Sequence, residues 1–137
     1  MRHICWGVLL VCVIGMGMTA CGIAEGPRQK LTMATYHFNE GLRWGRYNDV
    51  FPVVDPEVLD SFKALHEGWG ETLLVSDAEI LETVYDDKQH KAVVSVRFTW
   101  YRKSEMVVHS TVTRQHWEYK NSGWVMMAEE HLSGTPF

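Results

Sequence analysis

The sequence predicts an α+β domain in which N-terminal helices pack on one face of a curved antiparallel sheet. Between Leu31 and Leu65, apolar residues recur at three- and four-residue intervals, and from Glu71 onward the period falls to two. The period-two segments are joined by short polar turns, which suit antiparallel neighbours, because a parallel return needs a crossover of about a dozen residues or more. With 137 residues, 46 % of them hydrophobic and 22 % charged, the chain can fill one core and is too short for two.

The first helix is read in QKLTMATYHFNEGLRWGRYNDVF, where Leu31, Ala34, Phe38 and Leu42 share a face. Glycine costs about 1 kcal/mol against alanine inside a helix, so Gly45 is placed at the C-terminal end and residues 46–49 in the turn that follows. A second helix is read in VVDPEVLDSFKALHEGWG. Asp55 is placed to cap it and Pro56 to take its first position, with Val58, Phe62 and Leu65 on one face and Gly68 and Gly70 closing it.

Four strands follow. TLLVSDAEILETVYDDKQ is expected to turn Leu74, Ala78, Ile80 and Val84 to the core and to end in the turn DDKQ. KAVVSVRFTWYRK alternates most clearly: Ala92, Val94, Val96, Phe98 and Trp100 point one way, and Lys91, Ser95, Arg97 and Thr99 the other. EMVVHSTVTRQHWEYK and GWVMMAEEH, joined by Asn121-Ser122-Gly123, complete a meander.

Ahead of the domain stands MRHICWGVLLVCVIGMGMTAC, a short positive head followed by a run from Ile4 to Ala20 without acids or strong bases. That is the pattern of a signal peptide, with a plain secretory signal and an uncleaved anchor over Ile4 to Ala24, long enough at about 20 residues to span a bilayer, as the alternatives to a lipoprotein signal. Met18-Thr19-Ala20-Cys21 resembles a bacterial lipobox, whose cysteine is lipidated and becomes the first residue of the mature chain. The resemblance implies a signal peptide over residues 1–20, lipidation at Cys21, a tether over 21–29 and a single domain over 30–137. Cys5 and Cys12 leave with such a signal, so the mature chain has neither an internal disulfide nor a cysteine metal site. Gly22 replaces the Asp that would signal inner-membrane retention in well-studied lipoprotein sorting. The expected location is therefore the cell envelope, on the periplasmic side of the outer membrane.

A formal net charge of −4 without any Lys/Arg-rich run argues against nucleic-acid partners. No His-Glu-x-x-His, cysteine pair, Gly-rich phosphate loop or nucleophile elbow occurs, so neither metal nor cofactor is expected. Arg114, His116 and Glu118 share a strand face with Val108 and Val112 and are the weak ligand-binding candidates. Charges at the wet end of a strand that pair across the sheet are the stronger explanation of them. Glu129-Glu130-His131 is read as a solvated end of the chain. Aromatic residues such as Phe38, Trp69, Trp100, Trp117 and Trp124 are read first as core, together with Tyr36 and Trp44.

FNEGLRWGRYNDVF, the short second helix and the Trp-turn-Trp layout of QHWEYKNSGWVMMAEE resemble the nuclear-transport-factor-2-like superfamily, a cone-shaped α+β fold that includes isomerases and dehydratases. The resemblance implies a cone between helix and sheet but supplies no activity, because such folds host unrelated functions. Three functions from different classes remain. The first is a non-enzymatic lipoprotein that binds a small hydrophobic ligand or an envelope protein. The others are an assembly lipoprotein that forms a homodimer through its sheet, and an isomerase- or dehydratase-like enzyme with acid–base residues in the cone.

Overall fold

The computed structural model describes residues 24–137. The expected signal segment and Cys21 lie outside the described residues. The chain builds helices first and a sheet second, as the change of period predicts, and none of the described helices is long and apolar enough to cross a membrane.

Helix α1 spans Pro27–Arg43, with proline in its first turn where the missing N–H has no helical partner to lose. Its first turn takes in residues 27–29, which were expected to be tether. The turn is pinned from outside the helix: the Trp124 indole donates to the Pro27 carbonyl at 2.8 Å, and Arg28 meets Asp87 at 2.9 Å. Leu31, Phe38 and Leu42 are buried along one face, joined by two polar residues, Thr35 and Asn39. Gly41 lies within the helix where Val50 presses against it; a Cβ there would stand 2.7 Å from a Val50 methyl. Gly45 follows the helix at φ +65°, the left-handed conformation that closes helices.

Residues expected to form a turn instead make a one-turn helix, α2 (Tyr47–Val50), followed by a 3₁₀ turn over Phe51–Val53. Helix α3 spans only Leu59–Leu65. Asp55 does accept a backbone bond, from the N–H of Glu57 at 2.9 Å, but that bond shapes a turn ahead of α3, and Pro56 lies in that turn.

Strands β1 (Leu73–Asp86), β2 (Lys91–Arg102), β3 (Val108–Lys120) and β4 (Gly123–Gly134) form one antiparallel sheet in the order β1-β2-β3-β4. All five residues expected inside on β2 are at most 3 % exposed. β1 departs from expectation, because bulges at Ser76 and Leu81 shift its register against β2. Leu73 and Val75 take the core positions. Leu74 is half-buried, and Val84 stands opposite Val93 on the outer face, 56 % exposed. Aromatic side chains fill the space between helices and sheet: Phe38 meets Trp117 edge-on at 5.0 Å, and Trp69 packs against Phe98 at 5.2 Å and Phe137 at 4.6 Å. Tyr36 and Trp44, read as core, are 55 % and 63 % exposed.

Candidate functional site

The inner face of β3 is not wholly apolar. Thr111, Thr113 and Gln115 precede Trp117 on it, and all four are buried. Burying an amide or hydroxyl without a partner costs a few kcal/mol, so each must be answered from another element. Gln115 exchanges two bonds with Asn39 of α1: its Nε2 donates to Asn39 Oδ1 at 2.8 Å, and Asn39 Nδ2 donates to Gln115 Oε1 at 3.2 Å. Asn39 Nδ2 also donates to the Thr35 carbonyl at 2.8 Å, which ties the amide pair to the helix backbone.

The third partner comes from β4, where strict alternation from Trp124 and Met126 would turn Ala128 and Glu130 inward. The register instead slips between His116 and Trp117, so that Trp117 faces Met126 and His116 faces Ala128, with Met127 left as the extra residue. From there on the faces exchange, and Glu129 stands opposite Gln115. Its side chain is 1 % exposed. Oε1 accepts from Thr113 Oγ1 at 2.8 Å and from Gln115 Nε2 at 3.3 Å.

Oε2 faces His66, which lies just past the end of α3 and whose side chain is also 1 % exposed. His66 Nδ1 is 2.8 Å from the Phe62 carbonyl, which can only accept, so Nδ1 carries a hydrogen. Nε2 then stands 3.1 Å from Glu129 Oε2, off the line of an aligned hydrogen bond. Burial pushes the Glu129 carboxyl up, but the His66 charge and the hydrogen bonds from His66, Thr113 and Gln115 outweigh it and hold the group below the usual glutamate range.

Above this pair lies a cleft of about 270 Å³ between α3 and β4. Val58, Ser61, Phe62 and Leu65 form one wall and Met126, Ala128 and Glu129 the other. The Ser61 hydroxyl is engaged with the Val58 carbonyl at 2.8 Å, which leaves Glu129 as the single ionisable group in the lining. The cleft is at the small end of ligand pockets, which run from about 300 to 1,000 Å³, and has the usual make-up of apolar walls around one polar group.

The sequence candidates lie on the opposite face of the sheet. Arg114, His116 and Glu118 do share a face, as alternation predicts, but it is the outer one. Arg114 and His116 both meet Glu130, at 3.4 and 3.3 Å, and Glu118 meets Lys91 at 2.9 Å and Lys120 at 3.4 Å. The Lys91 hydrogen bond, more than any other influence, keeps Glu118 below the usual glutamate range, and His116 does the same for Glu130. The trio is a set of cross-strand ion pairs and does not line the cleft. The reading of Glu129 as a solvated end is corrected: β4 continues to Gly134, and its bulge turns this carboxylate inward, whereas Glu130 and His131 are exposed. His66, Asn39, Thr113 and Gln115 were missed. The signal for the last two was present in the alternation with Trp117, which put two polar residues on the buried face. Among the described residues no group of three or more His, Cys, Asp or Glu is placed to hold a metal ion.

No known protein-family model matches the chain, and no curated protein matches it. The solved structures with similarity to the chain include the following two. One is the solution structure of RPA3114, a SEC-C motif containing protein from Rhodopseudomonas palustris: identity is 15 %, with 77 % of this chain and 78 % of that one covered, and the TM-score is 0.59. The other is the intermembrane space region of the chloroplast protein ARC6, at 13 % identity, 80 % and 98 % coverage and a TM-score of 0.45. The first likeness bears on the α+β fold alone.

Proposed function

We propose that the protein is a lipid-anchored envelope protein whose domain holds a small ligand in the cleft between α3 and β4 without transforming it. The observation that carries the binding role is the cleft itself, a mostly apolar space of about 270 Å³ between α3 and β4. The anchor rests on Met18-Thr19-Ala20-Cys21 and the uncharged run before it. The nuclear-transport-factor-2-like assignment rests on element order, which the helices-then-meander arrangement matches at the level of the α+β class.

A buried acid–base pair beside a cleft is also what an isomerase or dehydratase would need. Here, however, His66 Nδ1 is held by the Phe62 carbonyl, Glu129 Oε1 already accepts two bonds, and His66 is not among the residues that line the cleft, so no acid–base pair faces that space. Binding is the better-supported reading. Dimerisation through the sheet has less support, because the outer face carries Arg114, His116, Glu118 and Glu130 in ion pairs.

Two measurements test the proposal. Native mass spectrometry of the full-length chain purified from membranes of its host should find a small molecule bound to the wild type and absent from Leu65→Trp, which fills the cleft. A folded wild type that carries nothing and shows no thermal shift with any of a library of small molecules would overturn the binding role. Intact mass should show a chain that begins at Cys21 with diacylglycerol-sized added mass, and an unprocessed chain without lipid would overturn the anchor.

A further inference from the structure

The two edges of the sheet are closed unequally. At β4, Val54 pairs with Met126 and the Asp55 N–H donates to the Met126 carbonyl at 2.9 Å, so that strand has a neighbour on its outer side. β1 has β2 on one side, and among the described residues its backbone from Leu74 to Asp86 exchanges no hydrogen bond with any other element. A row of unpaired N–H and C=O groups is a template for another strand. Bulges at Ser76 and Leu81 blunt the first part of this edge. From Glu82 to Asp86 the ladder with β2 is regular again, and this stretch is exposed apart from the half-buried Tyr85.

A hollow lies on each side of that stretch. The inner one, of about 500 Å³, is bounded by Arg28, Leu31 and Thr32 of α1 and by Thr83 and Tyr85. The outer one, of about 320 Å³, is bounded by Glu82, Val93, Ser95, Arg114 and His116. The exposed Val84 borders both. Successive side chains of a strand point to opposite faces, so a strand added here would send them alternately into the two hollows.

Charge decides between a second copy and a different partner. Two copies paired antiparallel about Val84 would set Glu82 against Asp86, and like charges directly opposite destabilise a strand pair. Glu79 is matched by Arg97 at 3.0 Å, whereas Glu82 stands opposite Ser95 and has no ion pair among the described residues. Arg114 and His116 already meet Glu130, which leaves Glu82 as the open charge of the outer hollow. In the inner hollow Arg28 is held by Asp87 and lies over the Tyr85 ring, so Leu31, Val84 and that ring favour an apolar side chain.

We propose that β1 from Glu82 to Asp86 is a docking edge for an extended segment of another protein, which adds as a fifth strand with a Lys or Arg toward Glu82 and an apolar side chain toward Leu31 and Tyr85. A display library of random segments of about nine residues, long enough to include one strand, is selected on the full-length chain in detergent, and a winning segment is synthesised. Winners are expected to alternate apolar residues with Lys or Arg, and the synthetic segment to shift the amide resonances of Thr32 and of Glu82 to Tyr85 in NMR. Two N-methylated versions, each blocking every second backbone N–H, identify edge pairing. An antiparallel strand donates toward its neighbour from alternate residues, so one version should lose binding and the other keep it. Glu82→Lys, at an exposed position, should weaken binding by at least about tenfold.

No selected segment, shifts that fall elsewhere, or equal loss with both N-methylated versions would overturn the docking edge. Winners without Lys or Arg that bind Glu82→Lys as tightly as the wild type would overturn the charge rule. A chain already dimeric in analytical ultracentrifugation, with the amides of Glu82 to Asp86 protected from exchange at the same concentration, would make a second copy the occupant and overturn the proposal as well.

Discussion

Glu129 is the residue on which the inner polar chain converges, reached by His66 from α3, by Thr113 and Gln115 from β3 and, through Gln115, by Asn39 from α1. Removing one partner of a buried pair leaves the other uncompensated, so Glu129→Ala is expected to cost about 3–5 kcal/mol, measured as the loss of unfolding free energy in urea. A cost below about 1 kcal/mol would show that the interior relaxes around the gap and that the pair does not hold α3. The same carboxylate predicts a pH dependence. Its folded-state pKa lies below the ordinary glutamate value, so its contribution to stability is present above about pH 4.5 and is lost as pH falls through the depressed value. Glu118 and Glu130 contribute in the same sense, because their values are lowered too. Comparison with Glu129→Gln separates them: the stability gap between wild type and variant should be widest near neutrality and narrow as pH falls below about 4.5, and a gap that stays constant on further acidification would rule out Glu129 as its source.

Among the elements, β4 shows where a sequence stops being legible. Its letters alternate cleanly from Trp124 through Met126 and Ala128 to Glu130, and nothing in them marks Met127 as the residue that drops out of register. A bulge depends on what the partner strand and the overlying helix require, and here it brings Glu129 rather than Glu130 to Thr113, Gln115 and His66. The bulges of β1 act likewise: they give the core positions to Leu73 and Val75, whereas the sequence points to Leu74 and Val84. β2, paired with β3 without a shift, obeys its alternation at every expected position. Deletion of Met127 therefore makes a sharp test. It removes the extra residue and leaves Ala128 opposite His116 and Glu129 opposite Gln115 in a regular ladder, so Glu129 should stay inward. The His66 imidazole resonance in NMR should then match that of the wild type. A resonance that changes as it does in Glu129→Ala would mean that the bulge itself is needed to aim this carboxylate.

For the molecule as a whole, the fold was legible and the site was not, and the cause is distance along the chain. Helix and strand periods are local, so a window of about ten residues discloses them. The Asn39–Gln115 pair joins positions 76 apart, and His66 meets Glu129 across elements whose separation no local pattern records. Tyr36 and Trp44 illustrate the converse: helical spacing marks a face, but only the assembled sheet decides which face it covers, and these two remain outside. The large aromatic residues inside then hold helices and sheet as one cooperative unit. Phe98, fully buried against Trp69 and Phe137, ties the middle strands to the segment after α3 and to the chain's final residue. Phe98→Ala should cost about 3–5 kcal/mol in urea unfolding and leave a single transition, because the cavity lies where all layers meet. Trp44→Ala serves as the control. Its ring is 63 % exposed and touches Arg43 and Glu40 on its own helix, so its removal should change stability by no more than about 0.5 kcal/mol. Comparable losses at the two positions would mean that Trp44 is covered in solution, and the outward face of α1 would then be a contact surface.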